Sequence, residues 1–110
     1  MKINVTSRHF KAHQSIVEYA EQEVSKLDHF YDGIIKCDVI LSYEKPRNSL
    51  KIAEIKVAVY GNTLTSVAKT DDYSKSIDVA VEKVLVQLKK YKAKLRSRDR
   101  KLVRAATAKV

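Results

Sequence analysis

Residues 77–104 read IDVAVEKVLVQLKKYKAKLRSRDRKLVR, at once the clearest helix and the densest charge in the chain. Ile77, Val81, Val84, Leu88, Tyr91 and Leu95 recur at three- and four-residue intervals. At about 100° per residue they stay within about 40° of one meridian, so a single helix can bury all of them. Cations flank that stripe. Lys83, Gln87, Lys90 and Lys94 form one ridge, and Lys89, Lys92 and Arg96 form the other, with Arg98, Arg100, Lys101, Arg104 and Lys109 beyond. From Lys83 onward, eleven Lys or Arg stand against Asp99 alone, while elsewhere the charges nearly cancel. A helix buried on one side and basic on both flanks needs a layer to lie against and an anion to meet.

Working outward, the 110 residues are enough for one domain, and 45% hydrophobic with 32% charged residues marks it as globular. The net charge of +9 points first to nucleic acid, then to an anionic membrane surface or an acidic protein. One cysteine, Cys37, excludes an internal disulfide and a multi-cysteine metal site, and its apolar surroundings read as core. No apolar run approaches the ~20 residues of a membrane span, and no hydrophobic leader follows Met1-Lys2. A cytoplasmic protein that is a monomer when free, without membrane contact, cofactor or metal, is expected.

Alternation over residues 2–8, with Ile3 and Val5 on one side, predicts a strand. A helix is predicted over 14–31, with Ile16, Ala20, Val24, Leu27 and Tyr31 as its buried stripe and Tyr19 and Phe30 beside it. Gly33 stands just past its end, where a left-handed C-cap residue belongs. Two strands follow over 35–43 and 50–60, joined by a polar connection holding Pro46. Gly61-Asn62 signals a hairpin of type II′ or I′, and a fourth strand is predicted over 63–70. Asp71-Asp72 places side-chain acceptors at the start of the last helix. The order β-α-β-β-β-α predicts a two-layer α+β domain: a four-stranded, mostly antiparallel sheet with two helices on one face. The first two strands should be parallel, and a domain over 1–97 should end in a basic, flexible tail over 98–110.

The lysine ridges carry the functional signal, because one helical turn (~5.4 Å) roughly matches a nucleotide step. The alternative, a solvated face held by ion pairs, lacks acids: Val79, Leu85 and Val86 stand four residues before Lys83, Lys89 and Lys90. Val79 and Val86 lie on the outer meridian, and two isolated exposed valines are ordinary. His9, His13 and His29 complete no ligand pattern, and His9 with Arg8 and Lys11 adds to a basic surface. No phosphate loop, dinucleotide turn or nucleophile motif is present. Tyr60, Tyr73, Tyr91, Phe30 and Tyr31 could stack on bases, but their positions read mainly as core or sheet margin, and no RNP-type aromatic strand pattern is present. Recognition should therefore be of phosphate and shape with little base readout.

The chain resembles short-form ribosome hibernation-promoting factors, the family that includes protein Y. The marks are Ile3-Asn4-Val5-Thr6-Ser7, then Lys26-Leu27-Asp28-His29-Phe30-Tyr31-Asp32, then Asp72-Tyr73-Ser74-Lys75-Ser76-Ile77-Asp78, followed by the lysine-dense run 83–95. Together, and in this order, they cover roughly residues 1–97. The resemblance implies a fold similar to a double-stranded-RNA-binding domain. It also implies binding in the cleft between head and body of the small ribosomal subunit, on its rRNA, which keeps idle ribosomes inactive. Whole ribosome dimers are a further implied partner. The family's basic face falls on Lys83, Lys89, Lys90, Lys92, Lys94 and Arg96, extended here by Arg98, and its basic position after the first strand on Arg8. Two departures stand out: Ser74 occupies a position usually aromatic, and the basic tail differs from the acidic tail of protein Y. The competing readings are a general double-stranded-RNA module and a small RNA-processing enzyme using His9 or His13.

Overall fold

A computed structural model describes residues 1–44 and 50–108, with side chains described as far as position 95. The elements run β1 (Lys2–Ser7), α1 (Gln14–Phe30), β2 (Lys36–Glu44), β3 (Leu50–Val59), β4 (Asn62–Thr70) and α2 (Tyr73–Ala108). The polar connection expected around Pro46 falls on 45–49, outside the described residues. So do the side chains of Arg96, Arg98 and the rest of the expected tail.

The sheet has the order β1-β2-β3-β4. β1 and β2 are parallel, in register Val5↔Val39, and the other pairs are antiparallel, with Ile55 opposite Val39 on one side and Ser66 on the other. Alternation decides the layers. Cys37, Val39 and Leu41 of β2, Ala53, Ile55, Val57 and Val59 of β3, and Leu64 and Ala68 of β4 are buried under the helices. Their neighbours, such as Lys56, Thr65 and Lys69, are exposed on the opposite face. From above, α1 contributes Ala20, Val24 and Leu27, and α2 contributes Ile77, Ala80, Val81, Val84 and Leu88. The last helix therefore buries its expected stripe from Ile77 to Leu88, while Tyr91 and Leu95, farther along it, are half-buried.

Buried polar groups are matched. Ser66 donates to the Ala80 carbonyl at 2.7 Å, fixing β4 to α2. Ser76, fully buried, donates to the Lys51 carbonyl at 2.6 Å and shares a 2.7 Å hydrogen bond with Thr70. Asp72 caps α2 by accepting from the Ser74 N–H at 3.0 Å. Asp71 instead faces Lys75 at 3.5 Å. At the start of α1, the His13 ring accepts from the Ser15 N–H at 3.2 Å, which gives this histidine a capping role.

Two turns differ from expectation. Gly33 is not left-handed: Tyr31, in extended conformation, ends α1 and donates its N–H to Leu27 at 3.0 Å. What Gly33 supplies is room, since a Cβ there would stand 2.5 Å from the Tyr31 ring. The second hairpin turns one residue earlier than predicted. Val59 pairs with Asn62, so Tyr60-Gly61 forms the loop. Positive φ falls on Gly61 alone (75°), the φ pattern of a type II turn rather than a primed one. This one-residue shift puts Tyr60 on the loop corner.

Candidate nucleic-acid interface

The two helices run in the same direction, tied at both ends. Near their starts Tyr19 donates to Asp78, and near the end of α1 Lys92 donates to the Phe30 carbonyl at 3.2 Å. The carboxylate hydrogen bond, with burial and nearby acids adding to it, pushes the Tyr19 phenol up to about 12. Burial and contact with Tyr91 raise Tyr31, while burial and Tyr43 raise Tyr73. Cys37 is buried and its thiol is pushed up to about 12 by desolvation and Asp38, so it is an inert core residue.

With α2 so oriented, its two basic ridges acquire different surroundings. The first looks over the free edge of β4: Lys83 donates to the Val67 carbonyl at 3.0 Å and Gln87 to the Thr65 carbonyl at 2.7 Å. The second lies beside the end of α1. The Lys92 ammonium stands 4.8 Å from the Phe30 ring centroid and Lys89 6.0 Å from it. A cation at the carbonyl end of α1 also complements that helix dipole. Lys83 and Lys92 are thus held by the protein's own acceptors.

Lys89, Lys90 and Lys94 are exposed. The ion pairs among the described residues involve Lys26, Lys36, Lys56, Lys69 and Lys75, so no carboxylate neutralises an amine of the last helix from Lys83 to Lys94. Three amines without a carboxylate partner therefore project from about one and a half turns of helix, Lys90 and Lys94 from one ridge and Lys89, near the Phe30 ring, from the other. A cluster of that kind attracts phosphate and is weakened by salt.

The structure separates Arg8 from this cluster. Arg8 follows β1 and donates its backbone N–H to Leu41 at 2.9 Å, beside the Phe10–Tyr73 stack (5.4 Å) at the opening of α2. Lys89 is sixteen residues farther along α2, or about 24 Å of helix. His9 adopts positive φ (66°) in the same connection. Among the described residues, no three His, Cys, Asp or Glu side chains gather where they could hold a metal ion. No helix there is long and apolar enough to cross a membrane.

One residue read from the sequence as core or sheet margin lies at the margin, on the corner of the β3–β4 loop. Tyr60 is 85% exposed. Its backbone carbonyl accepts from the Tyr91 hydroxyl at 2.8 Å, and beside it lies a cavity of about 340 Å³ lined by Tyr60, Gly61, Asn62, Tyr91, Lys94 and Leu95. The signal for this exposure was Gly61, whose positive φ suits the corner position just after Tyr60.

Residues 3–96 match the family model described as Sigma 54 modulation protein / S30EA ribosomal protein. The chain belongs to this family. The matched span runs from β1 through the exposed amines of α2. Among S30EA relatives, the chain is similar to the ribosome hibernation promoting factors of Pseudomonas putida (26% identical over 97 residues, 88% of this chain and 92% of that one) and Klebsiella oxytoca (28% over 96 residues, 87% and 98%). Its fold is similar to a ribosomal subunit interface protein from Coxiella burnetii, with TM-score 0.76 and 28% identity over 84% of this chain and 99% of that one. It is also similar to the N-terminal domain of Thermus thermophilus protein Y, with TM-score 0.72 and 27% identity over 83% and 99%. These likenesses agree with the four-stranded mixed sheet and paired helices expected from the sequence.

Proposed function

We propose that this S30EA-family protein is a non-enzymatic, ribosome-associated translation inhibitor. It occupies the decoding cleft of the small subunit, contacts rRNA phosphates through α2, and keeps idle ribosomes inactive in the cytoplasm. The observation that carries the reading is the set of amines without a carboxylate partner at Lys89, Lys90 and Lys94, on a helix whose apolar side from Ile77 to Leu88 is buried inside the domain. The names of the relatives, hibernation promoting factors and subunit interface proteins, support the same partner. Lys83 and Lys92 have protein acceptors and serve mainly to aim the helix, with their charge adding to the field. Arg8, at the other end of the domain, supplies a separate phosphate contact, and Arg96 and Arg98 supply others.

The test is sedimentation of purified small subunits through sucrose with the protein present, at increasing salt. Co-sedimentation should weaken steeply, with a log–log slope near −4 to −5 for about six phosphate contacts. Messenger RNA and transfer RNA should compete for the site. Binding indifferent to salt, or undisturbed by both competitors, would refute the assignment to the cleft.

A further inference from the structure

Where the middle of α2 passes the β3–β4 loop, several features converge that phosphate binding alone leaves unused. Tyr60 is the most exposed of the large apolar side chains among the described residues. Its backbone is anchored: the Tyr60 carbonyl is held by Tyr91, whose ring packs edge-on against Tyr31 at 5.8 Å. Beside it, Gly61 has no atom within 4 Å of the place a Cβ would take, so the approach along the loop is open. The adjoining cavity brings in the Lys94 amine and the Asn62 side chain. A second hollow of about 140 Å³ continues it to Lys90. The Asn62 carbonyl oxygen is taken by the Thr63 N–H at 2.8 Å, which turns its amide group into a fixed donor.

An exposed tyrosine alone is ordinary. An exposed ring on an anchored backbone, beside two uncompensated amines and an amide donor, is the combination that a nucleotide satisfies. A base offers a π-face whatever its sequence, and its phosphate offers the charge. We propose that this end of the domain is a subsite for one unpaired nucleotide of RNA, its base stacked on Tyr60 and its phosphate on Lys94 and Lys90. The inference rests on the RNA-binding reading above and adds to it a preference for single-stranded over duplex segments. Because stacking tolerates any base, the subsite brings affinity without sequence readout.

The test titrates the full chain and its Tyr60→Ala, Tyr60→Phe and Lys94→Gln variants against small subunits, a short labelled single-stranded RNA, and the same RNA as a duplex. Tyr60→Ala should bind the single strand about tenfold more weakly, with an unchanged salt slope because no charge is lost. Tyr60→Phe should match wild type, and the duplex should not distinguish them. Lys94→Gln should instead reduce the slope by about 0.7. Thermal melts control for folding, since Tyr91 bonds the backbone of residue 60 and alanine keeps that acceptor. Wild-type affinity of Tyr60→Ala for the single strand overturns the subsite and leaves phosphate binding intact. A loss seen on subunits but not on RNA means that the ring meets ribosomal protein, which also overturns it. Failure of wild type to bind either subunits or RNA overturns both readings, whereas binding to subunits without binding to the single strand overturns the subsite alone.

Discussion

Replacing Lys89, Lys90 and Lys94 together with glutamine removes the three uncompensated amines and leaves the buried stripe untouched. Each phosphate contact adds about 0.7 to the salt slope on single-stranded RNA and about 0.9 on a B-form duplex. Three contacts therefore account for a slope of about 2 to 3. Extrapolated from 1 M to about 0.1 M salt, one decade, the same contacts contribute about two to nearly three decades of affinity. The triple variant should then bind small subunits about 100-fold more weakly at that ionic strength and approach wild type as salt rises. Filter binding or fluorescence titration over a salt series measures both quantities. Since all three side chains are exposed, the melt should move by less than about 0.5 kcal/mol. Wild-type affinity and slope in this variant would show that these amines do not touch phosphate, and the proposed face would fall.

Other outcomes follow from the internal contacts. Lys92→Gln should lower stability by about 0.5–1 kcal/mol through loss of the Phe30 ring contact and the cation at the end of α1, measured by urea unfolding, whereas Lys90→Gln should not. Ser76→Ala strips the Lys51 carbonyl and Thr70 of a buried partner and should cost about 1–3 kcal/mol by the same assay. Tyr19→Phe breaks the bond to Asp78; being partly exposed, it should cost about 0.5–1 kcal/mol near neutral pH. Because the folded phenol is pushed up to about 12 from 10, the unfolded chain loses this proton first. The contribution is therefore full below pH 10 and disappears as pH rises toward 12. Unfolding across that range should show wild type and the Tyr19→Phe variant converging.

Element order, the buried stripes and the basic run were legible in the sequence because each follows from local periodicity. Ile77 to Leu88 on one meridian require a partner layer, and Ala53, Ile55 and Val57 of β3 with Leu64 and Ala68 of β4 provide it. The expectation of three- and four-residue ridges was correct as geometry. Their surroundings were not in the pattern, because a helix has two flanks and only its neighbours make them different. The sheet placed the free edge of β4 beside Lys83 and Gln87, and the end of α1 beside Lys92.

The turns illustrate the same division. Gly-Asn after an alternating run announces a hairpin, but pairing Val59 with Asn62 is a matter of register, set by which residues of β3 and β4 must point into the core together. That register moved the loop by one residue and turned Tyr60 outward. At Gly33 the sequence indicated a glycine-dependent helix end; the actual constraint is the Tyr31 ring lying across it, a contact between side chain and backbone that no local propensity contains. Sequence alone determined that this protein is a sheet under two helices, the last of them cationic. Tertiary packing alone decided which amines remain unsatisfied, since an amine is free or bound according to the carbonyls and rings that the fold brings within reach.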